Sequence, residues 1–260
     1  MAKTINFCKR NLKELLRDPL LYVFCLGFPI VMLALFQIIN NYTNGSTPVF
    51  ELKSLLPGII MFSYTFAMLL MALIVSKDRQ TFFLKRLYSS PMRAKDFVLG
   101  YAIVGIIIGV CQTVVCILAG GVVALITKQG FVGFGRVLLL FVSQMPILVF
   151  FVFAGILIGT AFNDKAAPGI CSILISVAGV LGGCWMPLDT MGGFEAICRV
   201  IPFYPSVYIG RVVCGAKNAF GAVFLFDKVA YLGLLVIGIY TVISVLSAFL
   251  LFEKNMVSDN

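Results

Sequence analysis

Two glutamines and one basic segment studded with aromatics hold most of the chemical capacity of this chain, and none of it forms a catalytic centre. Gln112 and Gln144 are the clearest polar side chains within long apolar runs. An amide in hydrocarbon must find a hydrogen-bond partner, so each reads either as glue between packed helices or as lining of a substrate path. Residues 76–96, SKDRQTFFLKRLYSSPMRAKD, set Asp78, Arg79 and Arg86 beside Phe82, Phe83, Leu84 and Leu87, and close on Ser90 and Pro91. An ordinary solvated loop would explain the charges. The apolar side would suit a surface that docks on a partner, with Ser90 and Pro91 ending a short helix.

Histidine is absent from the 260 residues, which removes the commonest general base and the commonest metal ligand. No Ser-His or Cys-His arrangement and no H-E-x-x-H site can be assembled. The eight cysteines at 8, 25, 111, 116, 171, 184, 198 and 214 contain no C-x-x-C pair. Cys25, Cys111, Cys116 and Cys171 fall in apolar runs, where a thiol packs as a small hydrophobe. Cys184, Cys198 and Cys214 leave two readings open, free packing thiols or one disulfide among them. There is no Gly-Lys dipeptide, hence no G-x-x-x-x-G-K-[ST] phosphate loop, and ATP hydrolysis must come from another chain. No catalytic residue, metal site or cofactor is expected on this chain.

The elements that position these groups follow from composition. Apolar residues make up 61% of the chain and charged residues 12%, about half the ~25% charged share of soluble domains. A soluble fold would leave large apolar patches on its surface, whereas a bilayer accepts them. Six charge-free runs, at about 20–39, 55–75, 97–126, 137–162, 166–187 and 229–252, are each long enough for a helix across a ~30 Å hydrocarbon core. They lack the alternation of a membrane β-barrel strand. The expected fold is therefore a single all-α membrane domain over 1–260, with six transmembrane helices.

The net charge of +9 is no nucleic-acid signature, because 11 of the 20 Lys and Arg lie within residues 3–17 and 77–95, flanking apolar spans. With an inner N-terminus, the inner segments carry 13 of these cations and the longer outer segments carry 7. The asymmetry places both termini in the cytoplasm. Nineteen residues precede the first full-length run, including Glu14 and Asp18, which is unlike a cleaved signal peptide. Residues 4–18 place Ile5, Cys8, Leu12, Leu15 and Leu16 at helical spacing among Lys9, Arg10, Lys13 and Arg17. That pattern predicts an amphipathic interfacial helix over 1–19, ended by Pro19, with its basic groups at anionic lipid headgroups. The outer segment 188–228 is too apolar for an open loop, so short re-entrant helices packed on the bundle are expected before the last span. Glycine pairs at 105/109, 155/159 and 179/183 allow close helix contact within the chain or with a second copy.

The 76–96 loop resembles the first inner loop of the membrane subunits of type-2 ATP-binding-cassette exporters. Asp78-Arg79, Arg86-Leu87 and Ser90-Pro91 match its pattern, and Arg93, Lys95 and Asp96 fit the approach to the next span. Phe82-Phe83 stands where that family usually carries Gly-Thr, and Lys85 where Glu is common. Asp18-Pro19, Leu56-Pro57-Gly58, Met186-Pro187 and Pro202 extend the likeness over essentially the whole chain. The resemblance implies a permease that pairs with a second copy, as homo- or heterodimer, in the plasma membrane. It implies docking of an ABC ATPase, which holds ATP and Mg, through the 76–96 loop. The apolar residues of the loop would then sit in a groove of the ATPase, with Arg79 and Arg86 making charged contacts around it. An ion-coupled secondary transporter would place charged residues within the spans, and none occurs here. A membrane assembly subunit without transport activity is the other alternative.

Overall fold

The computed structural model describes residues 2–19, 21–43, 45, 47–80, 93–128 and 130–258. Among them the chain is helical and carries a lone antiparallel bridge between Lys217 and Val223. Helix α1 covers Ala2–Leu15, and a π-helical stretch, Leu21–Gly27, runs into α2 at Phe28–Tyr42. Then follow α3 (Leu52–Gln80), α4 (Ala94–Thr127), α5 (Phe134–Ala161) and α6 (Ala167–Leu181). Two short helices, α7 (Gly193–Cys198) and α8 (Phe203–Cys214), precede α9 (Lys228–Ser258). Among the described residues five helices are long and apolar enough to cross a membrane: Tyr22–Tyr42, α3, α4, α5 and the Lys228–Asn255 part of α9.

Helix α3 is the centre of the bundle. Its sequence is apolar on every side, and such a helix is stable only when surrounded. Leu55, Leu56, Ile60, Met61, Tyr64, Met71 and Val75 are all fully enclosed. Helix α5 lies against it at glycine distance. A Cβ on Gly159 would stand 2.6 Å from the Ala72 carbonyl oxygen, and one on Gly155 would strike the Met68 carbonyl. Gly105 and Gly109 of α4 are filled by Val152 and Leu148 of α5, and Gly179 by Trp185. All three glycine pairs are thus occupied by contacts inside this chain.

Two elements differ from their sequence-based reading. The 166–187 run is helical only to Leu181, 15 residues or about 22 Å at 1.5 Å each, less than a ~30 Å hydrocarbon core. Gly182 and Gly183 end it, the latter with φ of +61°, a left-handed conformation that stops a helix. Helix α1 is amphipathic, but its buried face is Thr4, Phe7, Cys8, Asn11 and Leu15, while Ile5 and Leu16 are 50% and 51% exposed. The cause is protein packing. Phe7 stands edge-on to Phe97 and Tyr101 of α4, with ring centroids 5.4 and 4.9 Å away, and it overlies Gly100.

Hydrogen bonds fix the two ends of the bundle. At one, α1 is bonded to the end of α3 and the start of α4, and the ends of α3 and α9 are bonded to the end of α5. At the other, α8 is tied to the start of α3 and to Gly183, just beyond α6.

Candidate functional site

The junction at the first of these ends is built around Asp78, in the last turn of α3. Its carboxylate is 4% exposed, which a charge tolerates only when well paired. Arg10 of α1 supplies a forked guanidinium, with Nη1 to Oδ2 at 3.3 Å and Nη2 to Oδ1 at 3.2 Å. The Tyr101 hydroxyl of α4 donates to Oδ2 at 2.7 Å. Arg10 also reaches Glu14 at 3.0 Å, and Lys77 approaches the same carboxylate at 3.5 Å. Thr4 donates to Asp96 Oδ1 at 3.0 Å, while Asp96 Oδ2 accepts the Arg93 backbone N–H at 3.1 Å. An acidic group in the first turn of α4 satisfies an otherwise free amide and complements the helix dipole.

Arg79 faces the other way. Its Nη1 donates to the Thr160 carbonyl at the end of α5, which also accepts from Asn255 Nδ2 of α9 at 2.9 Å. The guanidinium is therefore committed inside the chain, where the sequence suggested a contact with a partner. Its Nε is buried with no hydrogen-bond partner. Between them, Asp78 and Arg79 tie α3 to α1, α4 and α5, and Asn255 ties α9 to the same Thr160 carbonyl, forming a knot at the root of the segment linking α3 to α4. The remaining sequence candidates, Phe82, Phe83, Leu84, Arg86, Leu87, Ser90 and Pro91, lie outside the described residues.

The two intramembrane glutamines are fully buried and well apart from this knot. Gln144 of α5 exchanges two bonds with Ser206 of α8, Nε2 to the Ser206 carbonyl at 3.1 Å and Ser206 Oγ to Oε1 at 3.0 Å. Gln112 of α4 donates to the Ser63 carbonyl of α3 at 3.0 Å, leaving its Oε1 buried without a partner. One residue along, Tyr64 and Thr113 share a hydrogen bond at 2.6 Å, and Thr113 also bonds back to the Gly109 carbonyl at 2.8 Å.

Sequence reasoning missed Tyr101, Thr4 and the inward role of Arg10. The one signal for Arg10 was the i, i+4 spacing to Glu14. It also gave no role to Arg211, whose side chain is 2% exposed. Its Nε donates to the Ser54 carbonyl at 3.1 Å and its Nη2 to the Gly183 carbonyl at 2.7 Å. Burial lowers its pKa from the ordinary arginine value. All eight cysteines are free, and Cys184, Cys198 and Cys214 are each buried.

A central apolar helix wrapped by further apolar helices, with charge confined to the bundle ends, defines a multi-pass membrane protein. Residues 4–214 match the family model described as ABC-2 type transporter, and the chain belongs to that family of ABC transporter membrane components. A search of curated proteins found no match.

Proposed function

We propose that this chain is the permease subunit of an ABC-type exporter and moves an amphiphilic substrate, such as a drug-like molecule, a lipid or a glycan carrier. Energy comes from ATP and Mg bound by a separate ATPase, and the permease itself is not catalytic. It works in the plasma membrane as a homo- or heterodimer, surrounded by membrane lipids. Both termini are cytoplasmic and there are six crossings, with α6 and the residues after it completing the fifth. The basic asymmetry of the sequence supports that orientation. The passage of the chain from Ala161, beside Thr160 at the knot, to Gly183, beside Ser54 at the opposite end, supports the even count.

The observation that carries this reading is the position of Asp78 and Arg79. In a member of the ABC-2 family, they tie the root of a basic and aromatic segment to α1, α4 and α5. Phe82, Phe83, Leu84 and Leu87 supply apolar anchors for the ATPase, with Arg86 at the rim, and Ser90-Pro91 closes the docking element. Anchors of this kind dominate most interfaces, and rim charges contribute less. Phe83→Ala is expected to weaken ATPase association by about 1–3 kcal/mol, more than Lys77→Ala does. The assay is co-purification of the ATPase with each variant, with membrane levels and transport measured in parallel. Unchanged pull-down and transport in the combined Phe82→Ala, Phe83→Ala, Leu87→Ala variant would defeat the proposal.

A further inference from the structure

A groove of about 240 Å³ runs between α9 and the corner that joins α7 to α8. One wall is the face of α9 formed by Val229, Leu232, Gly233 and Val236, at the i, i+3, i+4 and i+7 spacing of a helix. These positions cover roughly 10 Å of α9 at 1.5 Å per residue, and all belong to its apolar run. The other wall includes Val200 and Pro205. The walls meet at Gly233, where an added Cβ would stand 3.0 Å from the Cβ of Pro205.

The groove opens on a face that lipid covers. Val200 and Leu232 line it and are each more than half exposed, as are Ile197, Tyr231 and Leu235 around it. In a protein that crosses the bilayer such side chains face hydrocarbon, and an apolar cavity among them excludes water. A lipid chain is the occupant that this setting supplies.

Arg199 is the charged residue of the lining. Its side chain is 45% exposed and holds Glu195 Oε1 through Nε at 3.3 Å and Nη2 at 2.9 Å, so Nη1 takes no part in that pairing. Tyr204 donates to the same carboxylate oxygen at 2.7 Å. Its ring lies 6.0 Å from that of Tyr208, whose hydroxyl donates to Asp227 just before α9. The guanidinium therefore stands toward the end of the groove where α9 begins, at the level where headgroups meet hydrocarbon. A cation among exposed apolar side chains is costly in a bilayer unless it reaches an anion or the interface. Glu195, 13% exposed, answers it on the protein side. On the open side the anion at that depth is a lipid phosphate.

We propose that this groove holds one acyl chain of a phospholipid from the leaflet that faces the start of α9, with the phosphate accepting from Arg199. The site rests on the chain's crossing of the membrane, and not on what it transports or on an ATPase.

The test uses the full-length protein in detergent micelles, with bound lipid read by native mass spectrometry as rising collision energy strips loosely held molecules. Palmitoyl-oleoyl phosphatidylcholine and the diacylglycerol with the same chains are offered in equal amounts. The parent is expected to retain the phospholipid roughly tenfold over the diacylglycerol, in keeping with one hydrogen bond to a charged group. Arg199→Gln should remove that preference while diacylglycerol binding stays as in the parent. Val236→Phe fills the groove and leaves Arg199 and Glu195 in place. It should lower retention of both lipids roughly tenfold, equivalent to about two buried methylenes. Val242→Phe, at an exposed position farther along α9, is expected to leave both unchanged. Equal retention of the two lipids by the parent overturns the proposal, as does full retention by Val236→Phe. Loss of a dimer rather than of lipid in Val236→Phe assigns the groove to a second copy and overturns it as well.

Discussion

Replacing Asp78 by alanine tests the knot at its most enclosed point. The carboxylate accepts three hydrogen bonds, but the partners lose unequally when it goes. Tyr101 is fully buried, so losing its 2.7 Å bond to the carboxylate costs about 1–3 kcal/mol. The Arg10 side chain is 35% exposed and already bonds Glu14, so it can turn to that carboxylate and to water. Its loss is that of a partly screened pair, about 0.5–1 kcal/mol. The sum is about 1.5–4 kcal/mol, or roughly 10- to 1,000-fold in the unfolding equilibrium. Asp78→Asn keeps an oxygen for Tyr101 and gives up the charge and one acceptor toward Arg10, so it should cost about 1 kcal/mol. The assay is equilibrium unfolding of the purified protein in detergent micelles by titration with SDS. A cycle through Arg10→Gln, Asp78→Asn and the double variant isolates the ion pair. An alanine variant within about 0.5 kcal/mol of the parent would refute the reasoning, because loss of the Tyr101 bond alone should exceed that. So would an asparagine variant as costly as alanine, since the Tyr101 bond would then not be the dominant contribution.

Two further substitutions probe packing by the same unfolding assay. Gly159→Val must push α5 away from the Ala72 carbonyl and should cost about 1–3 kcal/mol or prevent folding, whereas Gly238→Ala, with no atom within 4 Å of the added Cβ, should be close to neutral. Arg211→Ala opens a cavity and strands the Ser54 and Gly183 carbonyls, for about 3–5 kcal/mol, while Arg211→Met refills the space without a buried charge and should cost less.

The long apolar runs announced themselves because hydropathy over some twenty residues is a one-dimensional signal, and lipid imposes it without reference to neighbours. The 97–126 and 137–162 runs correspond to α4 and α5 to within three residues at either end. Where the decision lay with a three-dimensional neighbour, the same reading failed. Phe7 was passed over in favour of Ile5 and Leu16, because nothing local says that Gly100, 93 residues away, leaves room for a ring. Nothing local marked Arg211 as buried, because a cation is ordinarily exposed and the two carbonyls that hold it come from Ser54 and Gly183, 157 and 28 residues distant. Gly182-Gly183 was a legible stop signal, outweighed by the apolar residues on either side of it.

The same distinction explains what the motif Asp78-Arg79 does. Read along the chain, adjacent opposite charges at the head of a basic loop suggest two groups facing a common partner. On a helix, consecutive side chains diverge by about 100°, so an adjacent pair serves two different neighbours. Asp78 turns to α1 and α4, and Arg79 turns to α5, whose Thr160 carbonyl also accepts from Asn255 of α9. The spacing that made the pair look like a docking surface is what lets a single turn of α3 clamp both sides of the bundle. At the opposite end of α3 the Ser54 carbonyl is held by Arg211, and along its length Gly155 and Gly159 of α5 admit no slack against Met68 and Ala72. Between Pro57 and Gln80, some 35 Å at 1.5 Å per residue, a helix packed at glycine distance has little room to bend, whereas Pro57 itself interrupts the backbone hydrogen bonds near the Ser54 end.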